Sequence, residues 1–152
     1  MLKRFVAVVA LACAAITMSP VVASADGQGD GHVYAKATSV AGTESGGSAH
    51  ADLNFTGQRR LVYNNFVVND TCPGDAFDVR GRAIAINRDG STGYGAWHRD
   101  PHATCSGDGW GPFSGLEFNA SKDIMRAGVQ VCVMRPNASD ICAADYRGNP
   151  YT

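Results

Sequence analysis

The chain has 152 residues, with 13 Lys and Arg against 14 Asp and Glu, 18 Gly and 5 Cys. So even a charge balance leaves no basic stripe to hold a polyanion, which argues against nucleic acid as a partner. Every apolar run falls short of the roughly 20 residues that a helix needs to cross a bilayer.

The first segment reads as an export signal. Lys3 and Arg4 precede an apolar run from Phe5 to Ile16, and Pro20 and small residues lead to Ala23-Ser24-Ala25. This order of basic, apolar and small residues predicts a signal peptide over 1–25, cut after Ala25. Asp26 follows the expected cut, and Cys13 lies inside the apolar run, so no cysteine stands where a lipid anchor would attach. The expected product is secreted, without a membrane anchor, and a monomer. Its 127 residues, 26–152, suffice for one core.

Residues 26–31, Asp-Gly-Gln-Gly-Asp-Gly, have no apolar side chain to bury and predict a flexible arm ahead of a single β domain over 32–152. Short apolar stretches then alternate with turn residues: His32 to Val40, Ala49 to Phe55, Arg60 to Asp70, Phe77 to Ile86, Thr92 to Arg99, Phe113 to Phe118, Ile124 to Met134 and Ile141 to Tyr146. That spacing predicts an all-β fold, a small antiparallel β-sandwich of about eight strands. Asn64-Asn65 interrupts two β-branched and aromatic triplets and suggests a bulge. Asp89-Gly90 is the clearest hairpin signal, since both residues tolerate positive φ. Val129, Val131 and Val133 alternate with Gln130, Cys132 and Met134, as in a strand with one covered face.

Cys72, Cys105, Cys132 and Cys142 remain after processing, an even number in an exported chain, and predict two disulfides. None has another cysteine within four residues, so the spacing does not suit structural zinc. Three connectivities are open. The turn-rich Pro136-Asn137-Ala138-Ser139-Asp140 favours Cys132 with Cys142 across a hairpin, which leaves Cys72 for Cys105.

Several groups invite a functional reading. His98-Arg99-Asp100-Pro101-His102 gathers two imidazoles and a carboxylate, but Pro101 disfavours the helix on which the histidines would converge, so a strand end running into an exposed loop is expected, with neither metal nor cofactor. His98, His102 and Glu117, with Arg126, have the residue types of a ribonuclease-like acid–base site. Glu117, between Leu116 and Phe118, should nevertheless face outward from a strand. Ser114, His98 and Asp100 supply triad types without a nucleophile motif. Binding is the favoured class: Trp97, Trp110 and Phe113 flank the loop Ser106-Gly107-Asp108-Gly109, with Trp97 expected in a strand and in the core and Trp110 capping the sandwich or stacking on a sugar or peptide. Met134-Arg135-Pro136 offers a protease-inhibitor alternative. Asp75, Asp78 and the 87–91 segment lack a calcium-loop pattern, and the N-x-S/T tripeptides at Asn54, Asn69, Asn119 and Asn137 are accounted for by turns.

With these features, namely the signal segment, Asp89-Gly90, Trp97, the 107–111 loop, Leu116-Glu117-Phe118, Val131-Cys132-Val133 and Ile141-Cys142, the chain resembles a loose group of small secreted actinobacterial proteins, mostly uncharacterised. The resemblance implies an extracellular β-sandwich and carries over no active site. The sequence therefore predicts a secreted, non-catalytic binding protein for a protein or cell-wall polysaccharide ligand, with a small hydrolase or protease inhibitor as the alternatives.

Overall fold

The computed structural model describes residues 27–39, 46–71, 77–100, 109–135 and 137–152. The expected signal peptide, Cys72, Cys105 and His102 lie outside the described residues, and so does the second expected disulfide. Eleven strands form in chain order: β1 (Gly27–Gln28), β2 (Gly31–Thr38), β3 (Gly46–Phe55), β4 (Arg60–Thr71), β5 (Asp78–Asn87), β6 (Thr92–Tyr94), β7 (His98–Arg99), β8 (Trp110–Phe113), β9 (Leu116–Asn119), β10 (Ile124–Met134) and β11 (Ile141–Gly148). Six of the eight expected strands form as single elements, the expected Thr92 to Arg99 strand is broken into β6 and β7, the expected Phe113 to Phe118 strand is split between β8 and β9, and β1 is an addition. Among the described residues no helix forms, and therefore none is long and apolar enough to cross a membrane.

Two sheets pack face to face. One runs β1-β11-β10-β5-β6 with β7 beside β5, and the other β2-β3-β4-β8 with β9 beside β4. All pairings are antiparallel except that of β1 with β11. The core lies between the sheets because alternate residues of the long strands are apolar and point the same way. Val33, Ala35 and Ala37 of β2, Ala49, Ala51 and Leu53 of β3, and Val129, Val131 and Val133 of β10 are all buried. Small residues let the sheets approach closely. A Cβ at Gly81 would stand 2.6 Å from Val68 Cγ2 of the facing sheet.

The expected bulge is present at Asn65. Opposite β3 the register steps from Asp52↔Asn64 to His50↔Val67, so β4 has two residues where β3 has one, and Asn65 takes φ 49°. The extra residue resets the alternation, and as a result both Tyr63 and Phe66 point inward with 1 % exposure each. A second two-for-one step occurs in β8, where Phe66↔Phe113 and Val68↔Trp110 bracket one residue of β4 and two of β8. It puts Trp110 and Phe113 on the same face.

The Asp89-Gly90 hairpin also forms. Gly90 has φ +82°, and its amide donates to Asn87 O at 2.9 Å between β5 and β6. Asp89 Oδ1 accepts from the Ser91 amide and Oδ2 pairs with Lys122, so this carboxylate serves the turn. The Lys122 and then the Ser91 contacts hold it well below the usual carboxylate range. Cys132 and Cys142 stand opposite each other on β10 and β11 and form the expected disulfide.

Part of the segment expected to be an arm, Gly27 to Gly31, makes contacts with the sheets. Gly27–Gln28 pairs with Arg147–Gly148, and the Arg147 guanidinium donates to Gly29 O at 2.8 Å and Gln28 O at 3.1 Å. Asp30 Oδ1 accepts from the Phe55 amide at 2.6 Å. With no apolar side chains to bury, the segment is held through its backbone and a carboxylate instead. On the same side of the sandwich, Asp145 Oδ2 accepts from the Tyr34 amide at 2.9 Å, covering a donor on the edge strand β2. Across the molecule the sheets end in β6 and β7 on one side and β8 and β9 on the other, without a strand pairing between them among the described residues.

Candidate functional site

Strand β5 builds the more exposed candidate. Its inward residues, Val79, Gly81, Ala83 and Ala85, face the core, which sends Arg80, Arg82 and Ile84 to the outer face of their sheet. Tyr94 of β6 stands opposite Ile84, and Trp97 follows after β6 has ended. Arg82 lies between these rings, its guanidinium carbon 3.6 Å from the Tyr94 centroid and 4.0 Å from the Trp97 centroid. Its Nε donates to Gln130 Oε1 of β10 at 2.8 Å. Both rings remain open to solvent, Tyr94 at 51 % and Trp97 at 40 % exposure. Burial draws the Arg82 pKa below its ordinary value, with Tyr94 acting in the opposite sense.

The result is a ledge of three planar groups, with the arginine fixed by cation–π contacts to two rings and by a hydrogen bond from its Nε. Arg80 and Arg99 extend the basic character, sharing Asp78 at 3.4 and 2.6 Å. Beneath, Ile84 is 3 % exposed yet lies outside the main core, covered on this outer face.

The second candidate is a cleft of about 190 Å³ at the unpaired side, lined by Tyr63, Phe66, Ala83, His98, Leu116 and Phe118 among others. His98 stacks on Trp110 at 4.2 Å between centroids, Trp110 stacks on Phe113 at 3.8 Å, and the edge of Phe66 meets His98 at 5.5 Å. Burial lowers the His98 pKa, and its ring makes no hydrogen bond among the described residues.

The two tryptophans exchange their expected roles. Trp97, expected in a strand and in the core, sits outside any strand and is exposed, whereas Trp110 is partly buried against the core beneath Phe113. Trp97 lies on the outer face because Arg82 receives it there, and Trp110 turns inward because of the two-for-one step in β8.

The catalytic alternatives do not assemble among the described residues. Glu117 faces outward as expected and pairs with Arg60 at 2.5 Å; it borders the same cleft as His98 without a hydrogen bond between them. Ser114 Oγ accepts from the Asn65 amide and Asp100 Oδ2 from the Asp70 amide, so neither engages His98. No group of three His, Cys, Asp or Glu among the described residues is arranged to hold a metal ion. Arg135 is folded back on its own turn, donating to Ser139 O at 2.9 and 2.5 Å, rather than presented to a protease cleft.

Sequence reasoning missed Tyr94 and Arg82. The available signal was the alternation Arg80-Gly81-Arg82-Ala83-Ile84, which puts Arg82 beside Ile84 on one face, with the Asp89-Gly90 turn bringing Tyr94 back over it.

Two sheets, antiparallel in nearly every pairing, packed over a single core and stapled by a cross-strand disulfide define an all-β, sandwich-like domain. No protein-family model, curated protein or solved structure matches the chain.

Proposed function

We propose that this chain is an exported, non-catalytic binding module that takes a wall polysaccharide on the Tyr94–Arg82–Trp97 ledge. The carrying observation is the guanidinium held between two solvent-open rings. Flat rings stack on the apolar faces of sugar rings, and a planar arginine donates to hydroxyl or carboxylate edges. Because Arg82 is already immobilised by Tyr94, Trp97 and Gln130, little side-chain entropy is lost when the ligand arrives. Arg80 and Arg99 favour a polymer carrying acidic groups. Export is supported by the basic, apolar and small-residue order of 1–25 and by the Cys132–Cys142 bond, a covalent link that persists in oxidising surroundings.

The test is co-sedimentation of residues 26–152 with purified wall polysaccharide. Wild type is expected in the pellet, and Trp97→Ala and Tyr94→Ala are each expected to weaken retention at least about tenfold, or 1.4 kcal/mol, with unchanged circular dichroism. Absence of retention, or retention that both variants preserve, overturns the proposal. Retention lost instead on Phe113→Ala would move the site to the His98–Trp110–Phe113 stack.

A further inference from the structure

The opposite face of the molecule carries a second cluster, unrelated to the ledge. Strands β2 and β3 pair His32 with Asp52 and Tyr34 with His50, which makes His32 and His50 diagonal neighbours on the outer face of their sheet. Their ring centroids are 5.5 Å apart at an interplanar angle of 40°.

His32 Nδ1 lies 2.9 Å from Asp52 Oδ1, and Asp52 Oδ2 accepts from Asn65 Nδ2 at 2.6 Å. With Nδ1 the protonated nitrogen, as the carboxylate requires, the Nε2 lone pair of His32 stays available. A carboxylate behind a histidine is the arrangement that fixes ring and tautomer in metal sites. Asn65 reaches Asp52 because of the bulge in β4, so the same extra residue that turns Phe66 inward also orients this pair. His50 is braced on its other side by Tyr34, whose ring is 6.4 Å away and inclined by 22°.

We propose that His32 and His50 form an open two-imidazole site for a divalent ion of the copper, nickel and zinc group, with Asp52 as the positioning residue for His32. A metal bonded to imidazole nitrogen at ~2.0–2.1 Å stands about 3 Å from the ring centre, so two ligating rings have centres up to about 6 Å apart. The observed separation falls within that span. Imidazole suits these borderline ions, whereas calcium and magnesium select oxygen donors. No third His, Cys, Asp or Glu side chain completes the set among the described residues, so water or an external donor fills the other positions. The site therefore binds more weakly than a closed structural one.

The test uses untagged residues 26–152, titrated with Cu²⁺ and with Zn²⁺ by calorimetry, with Cu²⁺ also followed by electron paramagnetic resonance. One ion per chain is expected, Cu²⁺ tighter than Zn²⁺, with a spectrum showing two imidazole nitrogens and no response to Ca²⁺. His32→Gln and His50→Gln should each weaken Cu²⁺ binding at least about tenfold, and Asp52→Asn by a smaller factor, with melting temperatures unchanged. Binding that survives the double histidine substitution overturns the site. So does the loss of binding in only one of the two single variants, which would mean a lone imidazole, or no heat at millimolar Cu²⁺.

Discussion

The Tyr63 hydroxyl, carried by β4 in one sheet, donates at 3.0 Å to the Gly128 carbonyl of β10 in the other. The side chain is 1 % exposed, and burial pushes its phenol far above the ordinary value. It acts as a polar tie through an otherwise apolar interior, and its orientation depends on the same strand whose bulge at Asn65 turns Phe66 inward beside it.

Tyr63→Phe keeps the ring and removes the tie. It should cost about 0.5–1.5 kcal/mol, whereas Tyr63→Ala should cost about 3–5 kcal/mol because it also leaves a cavity. Urea unfolding would measure both, with the phenylalanine variant retaining the wild-type slope.

The Cys132–Cys142 bond closes a short loop, with a sequence separation of 10. In the chain-entropy model such a loop is worth about 3 kcal/mol, so Cys132→Ala/Cys142→Ala should unfold at a clearly lower denaturant concentration. Equal midpoints for this double variant and wild type would show that the hairpin needs no staple.

His98 gives the stability curve an acidic shoulder. Burial among Phe66, Trp110 and the cleft wall lowers its pKa in the folded state, so the unfolded chain takes up the proton first. Stability is complete above the unfolded value of about 6.5 and is lost as pH falls from there through the lowered folded value. Between pH 7.5 and 5, wild type should lose more melting temperature than His98→Gln. Parallel curves would remove His98 as the cause.

Arg147 holds the amino-terminal segment through its contacts with Gly29 O and Gln28 O. Arg147→Ala should release Gly27 to Gly31, raising their amide exchange to that of an open chain, at a cost of about 1–2 kcal/mol. The Val129 and Val131 amides should keep their protection, since β10 is paired on both sides.

Much of this architecture was legible in the chain because its causes are local. Period-two apolar residues in β10, two consecutive asparagines in β4 and Asp89-Gly90 each dictate a strand face, a bulge or a turn through nearest-neighbour sterics. The short Cys132 to Cys142 loop belongs with them, because a hairpin brings its two ends together without help from the rest of the fold. Of the candidate site, the sequence supplied Trp97 but neither Tyr94 nor Arg82.

What only the tertiary structure decided is which groups meet across long separations. Alternation says that residues share a face; it does not say what covers that face. Trp97 is on the surface because Arg82 and Tyr94 receive it there, Trp110 is tucked in because β8 has an extra residue opposite Val67, and residues 27–31 are held against the sheet because Arg147, far along the chain, reaches back to them. Side-chain direction follows from the local backbone, whereas burial and partnership arise only when distant strands come together.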